Sequence, residues 1–86
     1  MSCASTPPND EYNLAHAAME AAKRANAAQV VPGLWSRAEH SYRKGKQAYK
    51  RENYTGARDA FERALHYAEK AENAAVIRNA REGGVE

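Results

Sequence analysis

With 86 residues, 19 of them alanine and only nine Leu, Ile, Val or Phe, the chain can build one small domain with a thin core. A net charge of +2 is too low to hold it open as a disordered polyelectrolyte, and alanine has the best helix propensity, so composition favours an ordered all-helical domain. No stretch reaches the roughly 18–20 apolar residues that span a bilayer, and a single cysteine, Cys3, excludes an intramolecular disulfide.

Residues 1–9 form a lead without periodicity, in which Pro7 and Pro8 oppose helix. Asn9 or Asp10 can cap a first helix through a side-chain oxygen, and Asp10 and Glu11 suit its positive end. That helix is predicted over about Asp10 to Ala28. Leu14, Ala15, Ala18, Met19, Ala22 and Ala25 share its apolar face. Val30 to Gly33 breaks the pattern. Pro32 disfavours helix at Val31 but fits the first turn of a new one, so a second helix is predicted from about Pro32 to Arg51.

The second helix presents Leu34, Ala38, Ser41, Tyr42, Gly45, Ala48 and Tyr49 on its inner face. A glycine costs about 1 kcal/mol relative to alanine in a helix interior, so Gly45 at the centre of that face points to a close crossing. The short Glu52-Asn53 link demands an antiparallel neighbour. The third helix, from Tyr54 to about Arg81, carries the ladder Ala57, Phe61, Ala64, Ala68, Ala71, Ala75, spaced as a seven-residue repeat. Arg58/Glu62 and Asp59/Arg63 are candidate i,i+4 ion pairs on its outer face. The predicted fold is all-α: a three-helix antiparallel bundle over residues 10–82, with a short tail at 83–86. The first helix is expected to cover the far half of the ladder, with a second copy or another protein as the alternative.

No nucleophile lies at a fixed spacing from a base, and there is no glycine-rich phosphate loop, so catalysis, bound cofactor and resident metal are not predicted. His16 with Glu20 and His66 with Glu62 are i,i+4 pairs lacking a third ligand, and His40 stands alone. Charge is uneven. Residues 30–51 hold six Lys/Arg and one acid, while the remainder holds seven basic and ten acidic residues. Arg37, Lys44 and Arg51 recur every seven residues, as do Trp35, Tyr42 and Tyr49. These six are the candidate partner-binding residues. The basic row suits an anionic partner; the aromatic row can line a groove or pack in the core.

From Gly45 through Ala64 the chain resembles a tetratricopeptide (TPR) repeat, with Gly45, Ala48, Asn53-Tyr54, Ala57, Phe61 and Ala64 at the small, aromatic and alanine positions. Ser41 and Lys44 stand where that family has an aromatic and a leucine. Over a longer stretch, from Cys3 to Ala75, the order of cysteine, polar lead, alanine-rich helix, Pro32 turn and alanine hairpin resembles a small domain of unknown function found in bacterial envelope lipoproteins. That resemblance implies acylation of Cys3 and a place on the periplasmic face of a bacterial membrane, the outer membrane foremost. It also implies a scaffold or protein-interaction role toward another envelope protein or an anionic envelope component. The alternatives are a soluble cytoplasmic TPR-like adaptor without lipid and, on the charge of the second helix, a nucleic-acid binder, for which a reading motif is lacking. A thin core also makes a homo-oligomer an expectation, since assembly would hide more apolar surface.

Overall fold

The computed structural model describes residues 6–83. Among them the chain forms four α-helices and no strand: α1 (Asn9–Arg24), α2 (Ala27–Val30), α3 (Pro32–Lys50) and α4 (Tyr54–Gly83). The all-α class is as expected; the number of helices is not. The first helix ends at Arg24 because Asn26 turns into the left-handed region (φ 64°, ψ 33°), which a short polar side chain tolerates. The chain then makes the single turn α2. Val31, held out of helical geometry by the proline after it (φ −134°), breaks the path again, and Pro32 opens α3.

The link to α4 is just as local. Glu52 sits at φ 62°. Its N–H donates to the Tyr49 carbonyl at 3.0 Å, and the Asn53 N–H donates to the Ala48 carbonyl at 2.9 Å. These two bonds make a Schellman ending for α3, with glutamate where glycine is usual. Asn53 then caps α4: its Oδ1 accepts from the Gly56 N–H at 3.1 Å. At the start of α1 the expected side-chain cap is absent. The N-cap is Pro8, and Asn9 Oδ1 instead accepts from the Tyr49 hydroxyl at 3.2 Å.

The longest element, α4, has 30 residues and reaches about 45 Å. Both α1 and α3 pack along it and touch each other far less. Arg58 Nε donates to Glu11 Oε2 (3.4 Å) at one end of α1, and Asn79 Nδ2 donates to the Ala25 carbonyl (2.9 Å) at the other, so α1 and α4 run the same way. Arg78 Nη1 reaches the Val30 carbonyl at 3.1 Å. The last turns of α4 thus bind carbonyls that the ends of α1 and α2 leave without helical partners. The described residues span 60 × 18 × 13 Å with a radius of gyration of 14.8 Å, against about 12 Å for a compact domain of this length.

All six ladder residues have no exposed surface. Ala57, Phe61 and Ala64 meet Ala15; Ala68, Ala71 and Ala75 meet Ala18, Met19, Ala22, Ala27, Trp35 and Ala38. Each half of the seam is therefore a set of close alanine contacts plugged by one large aromatic, Phe61 or Trp35. The first helix does cover the far half of the ladder. Gly45 also behaves as its position suggests: a Cβ there would lie 2.6 Å from Cδ1 and Cε1 of Phe61. Two more details differ from the sequence reading. Leu14 is 56% exposed, since the buried stripe of α1, formed by Ala15, Ala18, Met19 and Ala22, is centred about 90° away from it. Neither Arg58/Glu62 nor Asp59/Arg63 forms an ion pair; Arg58 turns to Glu11 and to the Thr6 carbonyl, tying the start of α4 to the start of α1.

Candidate functional site

Helix α3 lies on one side of α4, and each flank of α3 borders a cleft. The basic row and the aromatic row, which the sequence places on one helix, are separated by its contact line. Arg37, Lys44 and Arg51 are exposed on the flank away from α1. They border a groove between α3 and α4 with two parts of about 430 and 500 Å³, sharing His40, Ser41 and Arg63. Seven residues of helix rise about 10 Å, so the three cations of α3 form a row about 21 Å long. Arg63 faces them from α4, and Asp59 is the one carboxylate in the lining. Among the described residues none of Arg37, Lys44, Arg51 and Arg63 has a carboxylate within 4.0 Å, whereas Arg43, outside the groove, pairs with Glu39 at 3.6 Å. At one end of the groove the Arg37 guanidinium stands 6.0 Å from the centre of the Tyr67 ring.

Of the six partner-binding candidates, then, three share this groove. Trp35 does not: it is buried in the core of the far half of the seam. Tyr42 and Tyr49 are on the opposite flank, where α1 crosses. The Tyr42 ring stacks with Tyr12 at 6.0 Å and leans on Phe61 at 5.9 Å, and its hydroxyl lies 3.1 Å from His16 Nδ1. Burial, then the neighbouring Tyr12 hydroxyl, pushes the Tyr42 phenol well above its usual value, so it stays neutral and able to donate far into the alkaline range. Tyr49 borders a second cleft, of about 580 Å³, between α1 and α3.

Sequence reasoning missed Arg63 and His40 as groove residues, and Tyr12, Lys46 and Lys50 on the aromatic side. Lys46 and Lys50 are one turn apart, a readable signal. Arg63 could not be assigned without knowing which face of α4 meets α3. Cys3, the lipidation candidate, lies outside the described residues, as do 84–86 of the predicted tail. His16, His40 and His66 sit one per long helix, and no three His, Cys, Asp or Glu side chains converge among the described residues. No described helix is long and apolar enough to cross a membrane. No family model, curated protein or solved structure matches this chain.

Proposed function

We propose that the chain is a non-enzymatic interaction module of the bacterial cell envelope, which docks an acidic surface of another envelope protein in the α3–α4 groove. The observation that carries the reading is the row Arg37, Lys44, Arg51 with Arg63 opposite, four cations with no carboxylate in ion-pair range among the described residues. Such a row attracts anions at long range and is sensitive to salt. Tethering through a lipid on Cys3 completes the reading and rests on the resemblance of the lead and the alanine-rich helices to envelope lipoproteins. The finer description of the fold belongs with it: a three-helix antiparallel bundle, α2 being a turn in its first connection, with α3 and α4 as a TPR-like hairpin. The antiparallel course of α3 and α4, the short 51–53 link and Gly45 beneath Phe61 support that description.

The test uses the intact chain with poly-glutamate as the anionic probe. Binding is expected to fall steeply between low and physiological salt, and Lys44→Glu with Arg51→Glu is expected to abolish it. Binding that ignores salt, or that survives both reversals, overturns the assignment of the groove. Double-stranded DNA bound more tightly than poly-glutamate at equal salt would replace the acidic protein with nucleic acid. Mass spectrometry of the amino-terminal peptide from native membranes tests the tether separately, and an unmodified peptide removes it.

A further inference from the structure

The second cleft belongs to neither the basic groove nor the core. It opens between α1 and α3 on the opposite side of α3, and its volume of about 580 Å³ falls within the range of small-ligand sites. Three features of its lining have one chemistry in common. First, its floor and walls are aromatic. Phe61 closes the bottom, and Tyr12, edge-on to Phe61 at 5.3 Å, and Tyr49, edge-on to Tyr54 at 5.6 Å, form the sides. In a chain with seven aromatic residues, five gather at this end of the molecule. Second, Lys46 and Lys50 stand one helical turn apart on the α3 rim, and no carboxylate is in the lining. Neither lysine has an acid within 4.0 Å among the described residues, and Lys46 Nζ is held 5.2 Å over the Tyr42 ring. Third, the α1 rim carries the carboxamides of Asn13 and of Asn9, whose Oδ1 already accepts from the Tyr49 hydroxyl across the cleft and whose amide N–H stays as a donor. An amide offers a donor and an acceptor together, which suits a peptide backbone.

We infer that this cleft takes an extended peptide segment of a partner, with one large aromatic side chain between the tyrosines and a flanking carboxylate on Lys46 and Lys50. The aromatic slot alone would suit any apolar molecule. Charge complementarity at the α3 rim selects an acid, and the amides opposite select a chain with its own hydrogen-bonding backbone. The cleft and the basic groove lie on opposite flanks of α3, so the two can be disabled separately.

The experiment titrates the isotope-labelled full chain with acetyl-Asp-Phe-Glu-amide and follows backbone amide shifts. Saturable shifts confined to Asn9, Tyr12, Asn13, Lys46, Tyr49 and Lys50 are expected. Lys46→Glu with Lys50→Glu should weaken binding by about tenfold, whereas Lys44→Glu with Arg51→Glu should leave it unchanged. All four substitutions are on exposed positions, and their amide spectra report directly whether the fold persists. A peptide with alanine for phenylalanine and one with Asn and Gln for the two acids should each bind more weakly. Shifts that do not saturate overturn the inference. So does equal binding of the uncharged peptide, which would leave a merely apolar slot, or equal weakening by the Lys44/Arg51 pair, which would leave only general attraction to a basic protein.

Discussion

Gly45→Ala offers a sharp test of how this alanine-rich chain holds together. By helix propensity alone the change should stabilise α3 by about 1 kcal/mol. The packing reverses the sign. The new Cβ would sit 2.6 Å from two ring carbons of Phe61 and 3.0 Å from a third, about 1 Å closer than carbon–carbon contact allows. Phe61 cannot yield. It has no exposed surface, its neighbours Ala57 and Ala64 are equally buried, and Tyr12 and Tyr42 lean on its ring at 5.3 and 5.9 Å. Helix α3 must back away from α4, and overpacking of this kind costs about 1–3 kcal/mol. The balance is a net loss of up to about 2 kcal/mol, or up to about 15 °C in melting temperature for a domain of this size. Thermal unfolding followed by the helical circular-dichroism signal measures it. Gly33→Ala is the control, since nothing lies within 4 Å of a Cβ there; it should be neutral or stabilising by up to about 1 kcal/mol. Combining Gly45→Ala with Phe61→Leu should restore part of the loss, a favourable coupling of at least about 0.5 kcal/mol in a double-mutant cycle. A Gly45→Ala chain as stable as the Gly33→Ala chain would refute the reasoning.

The remaining predictions concern the ends of α3 and the aromatic cluster. Glu52→Gly should stabilise the chain by about 0.5–1 kcal/mol, because a glutamate at φ 62° is strained and a glycine is not; urea denaturation that shows a loss would contradict the Schellman ending. Asn53→Ala removes the cap on the Gly56 N–H and should cost about 1 kcal/mol in the same assay, with no change expected from Thr55→Ala, which caps nothing among the described residues. Tyr42→Phe should flatten the alkaline loss of stability. The unfolded phenol ionises near pH 10 and the folded one well above it, so stability present below pH 10 declines as pH rises, by at most about 1.4 kcal/mol per pH unit for this group. Parallel stability profiles for wild type and variant above pH 10 would show that burial of the phenol contributes nothing.

How much of this was legible in the sequence can be seen residue by residue. The ladder from Ala57 to Ala75 reports its own burial, because a seven-residue repeat of small apolar side chains on a helix has one consistent arrangement, a seam closed by neighbouring helices. Gly45 announces a close approach through the helix stability it gives up. Pro32 and the 52–53 link set the turns, since both act within a few residues. Leu14, by contrast, reads as core from hydropathy and is exposed, because the stripe that α1 turns to α4 centres on Ala15, Ala18, Met19 and Ala22, about 90° away, and that rotation exists only in the packed helices. Arg58 reads as an outer-face partner of Glu62 and pairs with Glu11 instead, since α1 brings a carboxylate that no spacing within α4 could reveal.

The site divides along the same line. Local rules gave each helix its charge and its aromatic residues, and with them the basic row of Arg37, Lys44 and Arg51. Which residues share a cleft depended on how α3 is rotated against α4 and where α1 crosses. A rotation that puts Ala38 and Gly45 on the contact line sends the basic row to one flank and Tyr42 and Tyr49 to the other, and turns Trp35 inward. That rotation is set by a shape match, a glycine under a buried phenylalanine, and contacts between residues far apart in sequence exist only once the helices have packed.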